Sequence, residues 1–265
     1  MLSKREETEK SMDLTTAGGL IIGIGAVMVS FLWEGGHLSA VIRPPALVLV
    51  IFGTFGAATA TTSLRQLRTL PAFLKAAFFA KERSPTALIN RICDMAEKAR
   101  KEGLLSLEYD LMRTKDPFFK KALQLVIDGM DADKIREIME TEMEVISERH
   151  EAGALFFQKM GGFSPTMGIL GTVLGLIHAL SNISDASSMA RHIASAFIAT
   201  LWGVGLANLV YLPICDKLRN RFQEEMRALE IILEGMVSLS RGENPRLIRT
   251  KLYSYLLQQP REERR

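Results

Sequence analysis

The chain has 265 residues, 48% hydrophobic and 24% charged, with a formal net charge of +3, a balance that gives no ground for a nucleic-acid partner. Its mean hydropathy of +0.12 averages two unlike populations: four stretches without a single Asp, Glu, Lys or Arg, and a very polar remainder. That segregation excludes an ordinary soluble globular chain, and the placement of Cys93 and Cys215 in intracellular or apolar stretches excludes a disulfide framework.

In chain order, residues 1–13 form a short charged tail. Residues 14–33 and 45–64 follow, each charge-free and of the roughly 20-residue length with which a helix crosses the hydrocarbon core. The first span is expected to be retained, not cleaved as a signal peptide. Its apolar run is too long, and no small-residue cleavage pattern follows Trp33. Gly19 and Gly23 in it make a GxxxG, which permits close helix approach but often arises by chance. The second span opens after Arg43-Pro44-Pro45. Its Thr54, Thr59, Thr61 and Thr62 are expected to hydrogen-bond carbonyls of their own helix.

Residues 65–159 read as a helical cytoplasmic domain, because no strand-like alternation of any length appears. Ser84-Pro85 is an N-cap followed by proline at the first helical position, and Gly103 reads as the residue past the end. Between them Leu88, Ile89, Ile92, Met95, Ala96 and Ala99 repeat on one face, with Arg91, Lys98 and Lys101 pointing elsewhere. Asp116-Pro117 opens a second helix that stops at Gly129. A third begins near Asp131 or Asp133, with Ile135, Ile138, Met139, Val145 and Ile146 on its apolar face, and its continuation into the next span is compatible with the pattern.

Two further apolar segments, 160–184 and 193–215, are joined by a short polar turn containing Asp185 and Arg191. Each contains one proline, Pro165 and Pro213. From 216 to 265 charge alternates with Leu, Ile and Met as far as Leu239, a helix leaving the membrane. Gly242 and Pro245 break it before a shorter amphipathic piece. The expected architecture is all-α: four transmembrane helices, a large helical domain between the second and third, and a helical C-terminal tail. Lys and Arg concentrate between Arg65 and Lys159 and after Cys215, whereas the two short loops hold only Arg43 and Arg191. By the positive-inside rule both termini and the central domain face the cytoplasm.

No GxxxxGK[ST], GxGxxG after a strand, HExxH or GxSxG occurs, so neither an ordinary enzyme nor a bound cofactor is expected. The histidines His37, His150, His178 and His192 lack metal-ligand spacing. The spans also lack any charged side chain, although ion carriers that work alone usually hold an ionisable group in the membrane. If an ion crosses here, its carboxylate comes from another chain. What the last two spans do offer is two small-residue stripes. Gly168, Gly171, Thr172, Gly175 and Ala179 recur at helical spacing, and Ala196, Ala199, Thr200, Gly203 and Ala207 repeat the same intervals. The stripes face each other or a common partner, and close packing with self-bonded hydroxyls explains most such patterns. His178 is expected to be hydrogen-bonded inside the bundle, not to relay protons, and Asn208 is equally open to a packing role.

The fourth span reads Ala196-Phe-Ile-Ala-Thr200-Leu-Trp-Gly203, with Pro213 further on. It resembles the signature of the MotA branch of the MotA/TolQ/ExbB family, departing at Gly205, where that pattern favours a larger apolar residue and local packing is expected to change. The third span, Ser164-Pro165-Thr-Met-Gly-Ile-Leu-Gly-Thr172, is similar to the family's proline-containing helix. Arg100-Lys-Glu-Gly-Leu-Leu-Ser-Leu-Glu108 is similar to its cytoplasmic charged segment.

This resemblance implies a stator subunit in the bacterial inner membrane, arranged as a homopentamer around a MotB-type single-span partner that supplies the ion-binding aspartate. Thr172 and Thr200 match positions lining the ion route. Pro165 and Pro213 match coupling prolines at the cytoplasmic mouth, and a proline's missing amide gives that role a physical basis. Gly168, Gly171, Gly175, Ala196, Ala199 and Gly203 serve close helix packing. Arg100 and Glu108 match the pair that meets a FliG-type rotor protein, although a solvated face is the usual fate of such charges. Sodium-type members carry threonine where Thr172 stands and proton-type members alanine, which favours sodium and leaves the proton open. Two rivals stand beside this reading. One is an ExbB/TolQ-like subunit serving another envelope process, against which the extra span and the Arg100/Glu108 segment argue. The other is a membrane scaffold without ion flux.

Overall fold

The computed structural model describes residues 14–79, 84–181 and 183–256. The charged tail 1–13 and residues 257–265 of the expected C-terminal tail lie outside them. All regular structure among the described residues is helical: α1 (Leu14–Trp33), α2 (Leu38–Val41), α3 (Pro44–Ala60), α4 (Leu64–Leu67), α5 (Leu70–Phe78), α6 (Pro85–Glu102), a 3-10 turn (Leu104–Leu107), α7 (Glu108–Arg113), α8 (Pro117–Ile127), α9 (Ala132–Ser181), α10 (Ala186–Leu206), a π turn (Ala207–Tyr211), α11 (Leu212–Ser240) and α12 (Pro245–Tyr253). They form two compact units, one from residues 1–81 and 150–221, the other from 82–149 and 222–265.

The first unit is apolar. Three described helices are long and apolar enough to cross a membrane: Thr15–Trp33, Ala132–Ser181 and the continuous run Ala186–Ser240. α3 is apolar but has 17 residues, about 25 Å of helix. It stops at Ala60, short of the expected Leu64, because Thr61 and Thr62 both turn their hydroxyls back onto the Ala58 carbonyl, at 2.9 and 2.8 Å. Ser63 then opens α4 with a capping box to Gln66. The Lys159 ammonium donates to the Thr61 carbonyl at 3.0 Å, where a cation complements the helix end. Thr54 and Thr59 depart from expectation, since their hydroxyls bond no carbonyl. Thr54 belongs to the fully covered stripe Ala46, Val50, Thr54, Ala58, and packing of its stiff β-branched side chain sets its orientation. The GxxxG of α1 makes no close approach either. A Cβ on Gly19 would meet nothing within 4 Å, and one on Gly23 only the tip of Leu209.

α10 begins at Ala186, earlier than the apolar run. Asp185 is its N-cap, accepting from the amides of Ser187 and Ser188, and the Ser187 hydroxyl, which also donates to it at 2.8 Å, acts with those amides to hold its carboxyl below the usual range. Arg191 therefore lies on the helix and not in the turn.

The second unit has its own core, formed by α6, α8, the start of α9, the end of α11 and α12. Ser84 caps α6 by accepting from the Ala87 amide at 3.3 Å. Asp116 caps α8 through Phe119 at 3.0 Å. Gly103 and Gly129 take the positive φ of +84° and +70° that ends each helix. Arg91 does more than point away, for its guanidinium lies 4.7 Å from the Phe119 ring centroid and donates to Thr114. On α9, Ile135 and Met139 are fully buried and Ile138 and Ile146 partly so, but Val145 is 61% exposed. At roughly 100° per residue it stands about 100° off the line through Ile135, Met139 and Ile146.

The C-terminal half of α11 is buried in this core through Ile231, Ile232, Met236 and Val237, so the region expected as a tail is part of the unit. A Cβ on Gly235 would lie 2.8 Å from Ile92. Glu234 is the charged centre of the packing. It accepts from Arg136 at 2.7 Å and pairs with Lys251 of α12, which also donates to Ser238. Burial pushes the Glu234 carboxyl up, but Lys251 and Arg136 together outweigh it and hold it below its ordinary value.

Candidate functional site

The site is a seam between α9 and α10, made possible by the absence of side chains. Gly168 approaches so closely that a Cβ there would lie 2.9 Å from the Ala199 carbonyl oxygen. A Cβ on Gly175 would lie 2.7 Å from that of Ala196, and one on Gly171 2.5 Å from that of Ala199. Gly203 faces Ser164 and Gly168 across the same line. The two stripes thus meet each other. Ala196 and Ala199 are almost wholly covered.

Polar groups are spaced along this line. Ser164, fully buried, donates to the Gly203 carbonyl at 2.8 Å. About two turns further along α9, the Thr172 hydroxyl lies 3.1 Å from the Gly168 carbonyl, 3.2 Å from the Ala196 carbonyl, and in a short hydrogen bond with the Thr200 hydroxyl. Four oxygens share two hydroxyl protons, so acceptor capacity is left over. No carboxylate takes part. The cluster is a half-buried set of hard oxygen donors, the kind of surface that suits a small cation.

Ser164 is the polar group that stripe analysis does not single out. Its signal is positional, since it falls one turn before Gly168 on the same face. Trp202, in the quoted signature, donates its indole N–H to the Val41 carbonyl at 2.9 Å. Asn208 and His178 bond back to their own helices, at Val204 and Leu174 respectively.

The prolines occupy unlike settings. Pro165 lies inside α9 without ending it. Pro213 follows the π turn Ala207–Tyr211, which widens the helix where the proline ring would press on the Leu209 carbonyl. Leu212, beside it, fills the space that a Cβ on Gly161 would need. A Cβ on Gly205 would meet nothing within 4 Å, so this departure from the family pattern leaves neighbouring packing open.

In the second unit Arg100 lies in the last turn of α6 and Glu108 begins α7. Both are exposed, and neither makes an ion pair among the described residues. Lys98 and Asp110, 2.9 Å apart, hold the intervening turn over the buried Leu107 and so set both charges on the surface.

Residues 17–103 match the motility protein A N-terminal family and residues 111–231 the MotA/TolQ/ExbB proton channel family. Motility protein A of Bacillus subtilis (strain 168) is 34% identical over 246 residues, 92% of this chain and 91% of that protein. The chain belongs to the MotA/TolQ/ExbB proton channel family. Chemotaxis protein PomA of Vibrio alginolyticus is 34% identical over 245 residues, 92% of this chain and 96% of that one. Among solved structures, that of C. jejuni MotAB superposes with a TM-score of 0.90 at 29% identity, covering 96% of this chain and 100% of that one. Since the N-terminal match takes in α1 and α3, the family likeness is not confined to the last two apolar helices.

Proposed function

We propose that this chain is a stator subunit of the bacterial flagellar motor, forming with a MotB-type partner an ion channel that converts ion flow into torque on the rotor. The observation that carries the reading is the Thr172–Thr200 oxygen cluster on a seam with no carboxylate. It is half of a cation site, and the missing charge comes from a second chain. Family membership over nearly the whole length supports the same conclusion.

In this reading the chain sits in the inner membrane with four spans, α3 being the second, and with both termini in the cytoplasm. The exposed apolar faces of α9 and α10, such as Ile169, Val173 and Phe197, meet lipid, the partner helix or a neighbouring copy. Five copies surround the partner. An ion held at the partner's aspartate is met by the hydroxyls of Thr172 and Thr200. Its arrival and departure change the charge at the seam, and the ring turns around the anchored partner in response. Hydroxyl oxygen beside a carboxylate suits sodium better than a bare proton, so sodium is the ion assigned here. Pro165 and Pro213 let the helices bend at the cytoplasmic mouth. Arg100 and Glu108 dock on a FliG-type rotor protein. No catalysis is assigned.

The decisive experiment is a deletion strain complemented with this gene and that of its partner, assayed by spreading in soft agar and by rotation of tethered cells. Loss of rotation on deletion, restored by both genes, is the expected outcome. Normal swimming with loss of an energy-dependent envelope process would replace the reading with the ExbB/TolQ-like one.

A further inference from the structure

The segment between α6 and α8 has two apolar faces, and the fold uses one of them. Leu104, Leu107 and Leu111 turn inward: Leu107 is fully buried, and the other two pack against the core of the second unit. Leu105, Tyr109 and Met112, each one or two places further along the chain, are 70%, 58% and 74% exposed. Single exposed apolar side chains are ordinary on a protein surface. Three at the i, i+4, i+7 spacing of one helix face form a strip about 10 Å long. The Arg113 guanidinium lies 5.4 Å from the Tyr109 ring centroid and donates to its hydroxyl at 3.4 Å, which ties a positive charge to the strip. The charges around it are unequal. Arg100, Lys101, Arg113 and Lys115 are exposed and make no ion pair among the described residues, against Glu102 and Glu108, since Asp110 is taken by Lys98.

We propose that Leu105, Tyr109 and Met112 are the apolar anchors of a docking surface for an acidic amphipathic helix of the rotor. The inference rests on the stator reading for the identity of the partner and goes beyond it in the kind of contact. Arg100 and Glu108 become the polar rim of a surface whose affinity comes from apolar burial. Tyr, Met and Arg are the residue types enriched at the core of protein interfaces, and a few such anchors carry most of the binding energy. Exposed charge pairs contribute little by comparison. Anchors at i, i+4 and i+7 are met by a helix laid along them. The surplus of cations selects a helix flanked by Asp and Glu. It also opposes a second copy of the same surface, which would set cations against cations.

The test uses living cells that carry the full chain and its partner. Benzoylphenylalanine, a photo-cross-linking residue, replaces Leu105 in one strain and Met112 in another, and the product with the rotor protein is read by immunoblot. Cross-linking from both positions is expected. Met112→Ser in the first strain and Leu105→Ser in the second each lower the yield roughly five- to ten-fold. Met112→Leu keeps it, and Leu247→Ser, at an exposed leucine of α12, leaves it unchanged. Unfolding midpoints of the purified serine variants stay level with that of the unaltered chain, because both side chains lie outside the core. Rotation driven by the unaltered gene, with undiminished yield in the serine variants, overturns the anchor role alone. A product with a second copy of this chain in place of the rotor protein overturns it as well, as does a loss of yield that tracks a lower midpoint. Failure of the unaltered gene to support rotation overturns the stator reading, and the proposal with it.

Discussion

The Ser164 hydroxyl donates to the Gly203 carbonyl at 2.8 Å across the α9–α10 seam, and both partners are buried. The bond exists because residue 203 has no side chain: a Cβ there would lie 2.8 Å from the Ser164 carbonyl oxygen and from the Gly168 Cα. Both are backbone atoms and cannot swing aside. Gly203→Ala should therefore force the helices apart and lower stability by about 1–3 kcal/mol. Gly205→Ala is its control, since a methyl there meets nothing within 4 Å. Thermal unfolding of the purified complex would separate the two, and equal midpoints for both variants would contradict the close-packed seam.

Thr172 contributes the oxygen that touches most of the cluster, with Gly168, Ala196 and Thr200 as neighbours. Thr172→Ala removes it and keeps the helix, so swimming speed should fall and require more sodium to recover. Thr172→Ser, which keeps the hydroxyl, should retain most of the speed. Speed measured against sodium concentration decides the matter: an alanine variant with unchanged motility and sodium dependence leaves the hydroxyl no part in ion passage.

Much of this was legible before the structure, for reasons that particular residues make plain. Ser84-Pro85 and Gly103 delimit α6 because capping and positive φ are local demands met by few residue types. The stripes through Thr172 and Thr200 show which faces are small, but spacing on one helix carries no information about what lies opposite. Arg191 looks like a turn residue in a hydropathy profile. Asp185, with its two accepted amide bonds, is the better marker of where α10 starts. Burial of Ile232 and Met236 against α6 depends on contacts between residues far apart in sequence, and alternation of charge with Leu and Ile shows only that some partner exists. Thr54 escapes prediction because packing overrides the local hydrogen bond available to it.

Arg100 and Glu108 are exposed on either side of the Gly103 turn, unpaired with each other. Reversing either charge should weaken swimming while leaving thermal stability of the protein unchanged, because no buried partner is lost. Reversal of a matching charge on the rotor protein should restore part of the motility. A drop in stability alongside motility, with no rescuing partner, would instead make them structural.

Glu234 joins α9, α11 and α12 through Arg136 and Lys251. Glu234→Gln leaves two cations facing a neutral amide, and should cost about 3 kcal/mol. The carboxyl is held below its ordinary value in the folded chain. Its contribution is therefore complete above the ordinary glutamate range and is lost as pH falls through the lowered folded value. Hydrogen exchange of α12 amides reports this locally. Wild-type protection should exceed that of the variant at neutral pH and converge on it in acid, and a gap that stays constant with pH would show that ionisation of Glu234 is not its source.

Pro213 follows a π turn that covers Leu209, the residue whose carbonyl a regular helix would bond to position 213. The ring denies that bond and crowds that carbonyl, and the widened turn accommodates both. Pro213→Ala returns an amide donor and removes the crowding, so the helix should straighten, and stability should rise or stay level. If bending at this point couples ion passage to rotation, torque should fall all the same. Those opposite directions are the diagnostic: unfolding midpoint equal or higher, tethered-cell rotation slower. Full torque in the alanine variant would remove Pro213 from the coupling mechanism, and a fall in both quantities would assign it to packing beside Leu212 and Gly161.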